Sequence, residues 1–274
     1  MKLPEYPPKD KVLVGLEDIL RSTRQSLPAL QGRRAALERD IQGSRVTRPS
    51  FRAALVRPTV AVIAEVKRRS PSAGAIREDL NPADRAALYA ASGAAAVSVL
   101  TDGPYFGGSV TDLRAAAESC TLPLLRKDFI LDEIQILEAR AAGASAVLLI
   151  VRVLGRPRLD SLLRHAAELG LDALVEVHTE AELDAALEAN APIIGVNSRD
   201  LDTFRIDVAK SWKLLSGIPS DRIAVAESGI IGQSDVVNAA EAGADAVLIG
   251  TALSASESPS SLLRELAGVP RHGR

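Results

Sequence analysis

Val60–Gly74, VAVIAEVKRRSPSAG, is the stretch against which the rest of the chain can be interpreted. It opens on an apolar run, Val60-Ala61-Val62-Ile63-Ala64, of the kind found in a strand buried on both faces. Glu65 and Lys67 follow, and side chains at i and i+2 of a strand share a face. That face also carries Ala61 and Ile63, while Val62, Ala64 and Val66 take the other. A carboxylate and an ammonium therefore stand together at the C-terminal end of an apolar strand. A loop with Ser70, Pro71, Ser72 and Gly74 comes next. Taken alone, the pair reads equally well as a structural ion pair. Recurrence of the same device along the chain separates the two readings.

From Val60 onward, short apolar runs alternate with helical patterns at intervals of roughly 20 to 35 residues, the signature of repeated βα units. Strands are expected at Val60–Val66, Ala95–Thr101, Leu122–Lys127, Ala146–Val151, Ala173–Val177, Ile193–Asn197, Ile223–Glu227 and Ala246–Gly250. Helices are expected near Asp84–Ser92, Val110–Ser119, Asp132–Ala142, Arg158–Leu169, Glu180–Glu188, Val208–Leu215, Ser234–Ala242 and Ser260–Leu266. Gly93, Gly143, Gly170 and Gly243 recur at the joints from helix to strand, where a left-handed residue ends a helix. Repeated units suggest a solenoid or a closed ring, and eight continuously apolar strands favour the closed (β/α)8 TIM barrel of the α/β class. An open doubly wound sheet is second choice, because the loop Arg68-Arg69-Ser70-Pro71-Ser72 is not the glycine-rich turn such a sheet carries.

Before the barrel the pattern changes. Residues 1 to 11 are rich in Pro and Lys and read as an extended tail. Leu16, Ile19, Leu20, Leu27, Leu30 and Leu37 suggest one or two helices up to Ile41, with Pro28 as the break. A short helix is expected over Phe51–Leu55. Residues 1–57 are thus expected to form a helical extension packed on a barrel of residues 58–268, all in a single domain.

Composition narrows the partners. The 274 residues are 47% hydrophobic and 25% charged, ordinary for a soluble globular protein, and only 3% aromatic. A net charge of −2 gives no basic field for nucleic acid. No apolar run reaches the ~18 residues of a membrane helix, and MKLPEYPPKDK lacks the apolar core of a secretory signal. The single cysteine, Cys120, excludes an intramolecular disulfide and suits a reducing cytoplasm. Three histidines and no clustered carboxylates leave no metal site to expect.

In barrels of this kind the chemistry lies at the C-terminal ends of the strands. The first run ends in Glu65 and Lys67, and the third, LPLLRKDF, in Lys127 and Phe129. The fifth, ALVEVH, holds Glu176. The sixth ends in Asn197 and Arg199, the seventh in Glu227-Ser228-Gly229, and the eighth in Gly250-Thr251. Inward ionisable groups lose solvation at a cost of several kcal/mol each unless paired, so this many on one rim point to an active site. Arg126 and Asp128 flank Lys127 and should face the helices instead. His178 follows Glu176 by two and could be a satisfied rim histidine. Ser228-Gly229 and Gly250-Thr251 offer small residues and free backbone N–H groups on adjacent strands, a moderate signal for phosphate.

EVKRRSPS, LRKDF, VEVH, the V-N-x-R-D-L run, AESG and IGTAL, in that order over about residues 50 to 268, resemble indole-3-glycerol phosphate synthase of tryptophan biosynthesis. The resemblance implies conversion of 1-(2-carboxyphenylamino)-1-deoxyribulose 5-phosphate to indole-3-glycerol phosphate, CO2 and water, without cofactor, by a carbon–carbon lyase. It implies a general acid at Lys127 and a general base or proton relay at Glu176. Lys67 matches a second acid and anion-binding group, and Glu65 a carboxylate that orients its neighbours. Asn197 and Arg199 match groups holding the substrate's anions, and Glu227 and Ser228 a polar pair on the rim. Ser70, Gly229, Gly250 and Thr251 match carboxylate and phosphate contacts, while Phe106, Phe129 and Leu148 should flank the anthranilate ring. Ser198 stands where members often have Asn, and Arg152 where some have Lys. The partner implied is a phosphorylated small molecule, with a cytoplasmic monomer or weak homo-oligomer acting on it. Sister phosphate-binding barrels, phosphoribosylanthranilate isomerase and an imidazole glycerol phosphate cyclase subunit, are the nearest enzymatic alternatives, and LRKDF argues against both. A binding scaffold without catalysis would show unpatterned strand ends, unlike these.

Overall fold

A computed structural model describes residues 15–43 and 48–273. The expected tail at residues 1 to 11 lies outside the described residues. Eight parallel strands close into a barrel: β1 (Ala61–Val66), β4 (Ala96–Leu100), β5 (Leu124–Lys127), β6 (Ala146–Ile150), β7 (Asp172–Val177), β8 (Ile193–Asn197), β9 (Ile223–Glu227) and β10 (Ala246–Ile249), with β10 pairing back onto β1. All eight expected strands are present, within two residues at each end. β2 (Arg69–Ser70) and β3 (Gly74–Ala75) form a small antiparallel hairpin in the first loop.

Helices wrap the ring: α4 (Pro82–Ala91), α5 (Val110–Ser119), α6 (Glu133–Ala141), α7 (Val151–Glu168), α8 (Glu180–Glu188), α9 (Val208–Ser216), α10 (Gln233–Glu241), α11 (Thr251–Ala255) and α12 (Pro259–Leu266). Several start on side-chain caps, such as Asn81 accepting from Ala83 N at 2.9 Å and Ser109 from Asp112 N at 3.1 Å. The four joint glycines take φ between 70° and 99°, as a helix end into a tight turn requires. α7 starts earlier than the expected Arg158, because a short helical piece from Val151 joins it across a kink at Gly155, φ 65°.

Each strand divides its side chains between two cores. Val62, Ala64, Val97, Val147, Val175, Val196 and Val247 face outward against the helices. Ile63, Leu125, Leu148, Leu174, Ile193, Val225 and Leu248 fill the barrel interior. This double burial is why the strands read as unbroken apolar runs.

The N-terminal segment folds as α1 (Leu16–Gln31), α2 (Arg34–Gly43) and α3 (Phe51–Ala54). Pro28 does not break the helix as expected. It lies in the last turn of α1, where its missing N–H costs a single ladder bond, and the chain turns instead at Gly32 and Arg33. The α3 residue Phe51 and the following Leu55 are fully buried in the inner core, and the Asp172 carboxylate at the start of β7 accepts from Ser50 Oγ at 3.0 Å and Arg52 N at 2.9 Å. The short helix thus plugs the N-terminal end of the barrel. α1 lies toward the opposite end, where the Tyr105 hydroxyl donates to the Asp18 carbonyl at 3.2 Å. Leu37 of α2 packs on Ile134 and Leu137 of α6.

Candidate active site

Strand alternation and barrel closure bring five ionisable side chains from four strand ends into one cluster. Lys67 Nζ lies 3.0 Å from Glu65 Oε1, so the two residues share a face as their spacing requires. Lys127 Nζ donates to Glu176 Oε2 at 3.2 Å and approaches Glu227 Oε2 at 3.5 Å. Both carboxylates are essentially sealed, each 1% exposed. Asn197 supplies a side-chain hydrogen bond to Glu176 and accepts from Arg199 N at 3.0 Å through Oδ1.

Burial works against charge on Lys127, Glu176 and Glu227, and their partners decide which of them keep it. For Lys127, desolvation is outweighed by Glu176, Glu227 and Glu65, which together hold the ammonium well above its usual range. For Glu176, desolvation is outweighed by Lys127, His178 and the Asn197 hydrogen bond, so its carboxyl lies below the usual value. Glu227 goes the other way. Burial and the negative charges of Glu176 and Glu65 push it up to about 8, against the pull of Lys127 and His178. Two carboxyl groups in one cavity thus hold different protonation states at neutral pH, the arrangement that acid–base catalysis needs.

Glycines make room for this cluster. A Cβ on Gly250 would collide with Glu65 Oε1 and lie 2.8 Å from Lys67 Nζ, and one on Gly195 would collide with Glu227 Oε1. At Gly250, expected as a phosphate contact, the missing side chain makes room for the Glu65–Lys67 pair. Gly195 was not singled out in the sequence, although a glycine in the interior of a strand signals close approach by another group.

The other expected residues spread around the rim. Phe106 and Phe129 have ring centroids 6.3 Å apart and share the inner core with Leu148. Ser228 and Gly229 both take positive φ, 65° and 78°. A left-handed serine is uncommon and marks local strain at this strand end. Thr251 opens α11, the short helix that follows the eighth strand of the barrel. Ser70 is engaged within the first-loop hairpin, where its Oγ accepts from Ala73 N at 3.0 Å and lies 3.3 Å from Ser72 Oγ. Arg199 donates to the Phe204 carbonyl at 3.0 Å. Arg152 pairs with Asp200 and Asp202. Arg126 and Asp128 face away from the site, as their spacing from Lys127 requires.

A family model described as indole-3-glycerol phosphate synthase matches residues 16–266. The protein of that name from Desulfosudis oleivorans is 50% identical over 205 residues, which cover 75% of this chain and 78% of the relative. That from Mycobacterium sp. strain KMS is 45% identical over 258 residues, 94% of this chain and 95% of the relative. Among solved structures, 3-hexulose-6-phosphate synthase from Salmonella typhimurium aligns with a TM-score of 0.60 at 17% identity over 76% of this chain and 97% of its own, a likeness of fold. On these matches, the chain belongs to the indole-3-glycerol phosphate synthase family.

Proposed function

We propose that this rim carries out the family's reaction, the conversion of 1-(2-carboxyphenylamino)-1-deoxyribulose 5-phosphate to indole-3-glycerol phosphate, with Lys127 and Glu176 as its central acid and base. The observation that carries the assignment is the Lys127 ammonium, buried at the inner mouth between Glu176 and Glu227. As the aryl carbon attacks the carbonyl carbon, negative charge grows on oxygen, and an ammonium there lowers the barrier. Loss of CO2 and then of water requires an acid and a base in the same cavity. Lys67, oriented by Glu65, serves as the second acid and anion-binding group. Glu227, with Ser228 beside it, is a carboxyl group able to donate a proton near neutral pH.

Phe106, Phe129 and Leu148 supply an apolar wall for the anthranilate ring, and Asn197, Arg199 and Ser70 polar contacts for the substrate's anions. The phosphate is assigned to the loops at Gly229 and Gly250-Thr251. No described helix is long and apolar enough to cross a membrane, and Val56 and Val237 are the large apolar side chains left exposed among the described residues. This reading makes the protein a cytoplasmic monomer or weak homo-oligomer acting on a phosphorylated small molecule, with neither nucleic acid nor membrane as partner. The same reading treats residues 1–57 as an extension of one barrel domain.

Lys127→Ala and Glu176→Gln test the assignment by single-turnover fluorescence of the indole product and by thermal melting. Lys127→Ala is expected to fold and lose nearly all turnover, and Glu176→Gln to melt near wild type yet turn over at least ~100-fold more slowly. Lys127→Ala retaining more than about a tenth of the turnover, or Glu176→Gln losing stability with near-normal turnover, would show that these groups are structural.

A further inference from the structure

His178 directly follows β7, two residues after Glu176, and is 6% exposed. Its Nδ1 lies 3.3 Å from Glu182 Oε2, and its Nε2 lies 3.4 Å from Glu176 Oε1. Glu182 Oε2 also accepts from the His178 backbone N at 2.7 Å, which locks the first turn of α8 onto the strand end. The opposite oxygen of Glu176 accepts from Lys127. Glu182, His178, Glu176 and Lys127 therefore form one line from the outer rim to the buried ammonium.

An ionised carboxylate can only accept. A neutral imidazole has one donor nitrogen and would set the lone pair of the other against a carboxylate oxygen, whichever tautomer formed. Only the doubly protonated ring turns an N–H toward both carboxylates; its Nδ1 is within hydrogen-bond reach of Glu182, whereas Nε2 makes no hydrogen bond and acts on Glu176 through its charge at 3.4 Å. The titratable groups that face the ring are Glu176 of β7, Glu182 from α8 and Glu227 from β9, with Lys127 of β5 beyond Glu176. β8 contributes the neutral Asn197, bonded to Glu176. Burial lowers the affinity of the ring for its second proton, but the Glu182 hydrogen bond and the Glu176, Glu182 and Glu227 carboxyl groups outweigh burial and raise it.

We propose that His178 is a positioning residue for this reaction: clamped by Glu182, its imidazolium holds the Glu176 carboxylate turned toward Lys127 and ready to accept a proton. The inference rests on Glu176 being the base. His178 touches neither substrate nor reacting atom in this scheme and acts through Glu176 alone. Its positive charge, added to that of Lys127, lowers the pH at which Glu176 takes up a proton, so removing it raises that pH.

The test is the pH dependence of kcat and KM for His178→Leu, His178→Gln and Glu182→Gln, with Glu176→Gln as control. His178→Leu is expected to lower kcat at least ~10-fold with little change in KM, and to move the acid limb upward by about one pH unit. His178→Gln keeps a neutral donor toward Glu176, so it should regain much of kcat while the limb stays displaced. Glu182→Gln still accepts from His178 N and should displace the limb in the same direction by less, which carries the test if the leucine variant does not fold. The substrate's phosphate titrates alike in all of them, so the difference between variants is the readout. An unmoved limb in His178→Leu and Glu182→Gln, with Glu176→Gln inactive, would overturn the role of His178 alone. Wild-type turnover in Glu176→Gln would overturn the base and this inference with it.

Discussion

Glu227 shows how far one side chain can be moved by its place in a strand. Its carboxyl is sealed beside two other carboxylates, and it keeps a proton up to about pH 8. In the unfolded chain the same group ionises near its ordinary value. Between those two values the unfolded state binds fewer protons, so the contribution of Glu227 to stability is fully present below the ordinary value and is lost as pH rises toward about 8. Each unit of offset corresponds to about 1.4 kcal/mol. Glu227→Gln has no such dependence. Urea unfolding at pH 5, 6.5 and 8 should show the variant gaining on the wild type as pH rises, and parallel curves would mean that Glu227 is ionised throughout. Gly195 tests the same pocket from below. Gly195→Ala should displace the Glu227 carboxylate, costing about 1–3 kcal/mol and a larger fraction of kcat than of KM. Steady-state kinetics with a melting curve separates those two effects. The role of Gly195 was hidden in the sequence because it depends on Glu227, a residue of the neighbouring strand.

At the scale of the element, β5 carries two networks on opposite faces. Lys127 belongs to the inner one. On the outer face the Arg126 guanidinium donates to Asp128 at 3.0 Å, Glu138 at 3.0 Å, Thr101 Oγ1 at 3.1 Å and the Gln135 carbonyl at 2.8 Å. Arg33, between α1 and α2, reaches Glu138 at 3.2 Å. The spacing of Arg126, Lys127 and Asp128 told which way each would point, but the remaining partners come from residues 33, 101, 135 and 138 and could not be read locally. All three charges are buried, so Arg126→Met would leave Asp128 without a cation and Glu138 with Arg33 alone. A loss of about 3–5 kcal/mol is expected in denaturant unfolding. A loss below about 1 kcal/mol would mean that water enters and solvates the two carboxylates.

The barrel as a whole was legible because double burial writes each strand as a short apolar run, and because, Ser98 and Asp172 aside, polar residues interrupt those runs toward the C-terminal ends. The pieces that were not legible are too short for any periodicity: the β2–β3 hairpin and the single turn before Gly155. The placement of the N-terminal helices was also hidden, since their apolar spacing shows that they pack but not against which end of the barrel. That placement gives the two ends separate duties. Phe51 fills the closed end, far from the charged rim, whereas Ile19 of α1 belongs to the inner core together with Phe106 and Phe129. Phe51→Ala should cost about 3–5 kcal/mol and leave KM unchanged. Ile19→Ala should cost about 2–5 kcal/mol and also raise KM, because the aromatic wall loses its backing. Urea unfolding and substrate titration of both variants decide the matter. Equal effects on KM would place α1 outside the substrate pocket and reduce it, like α3, to a support for the barrel.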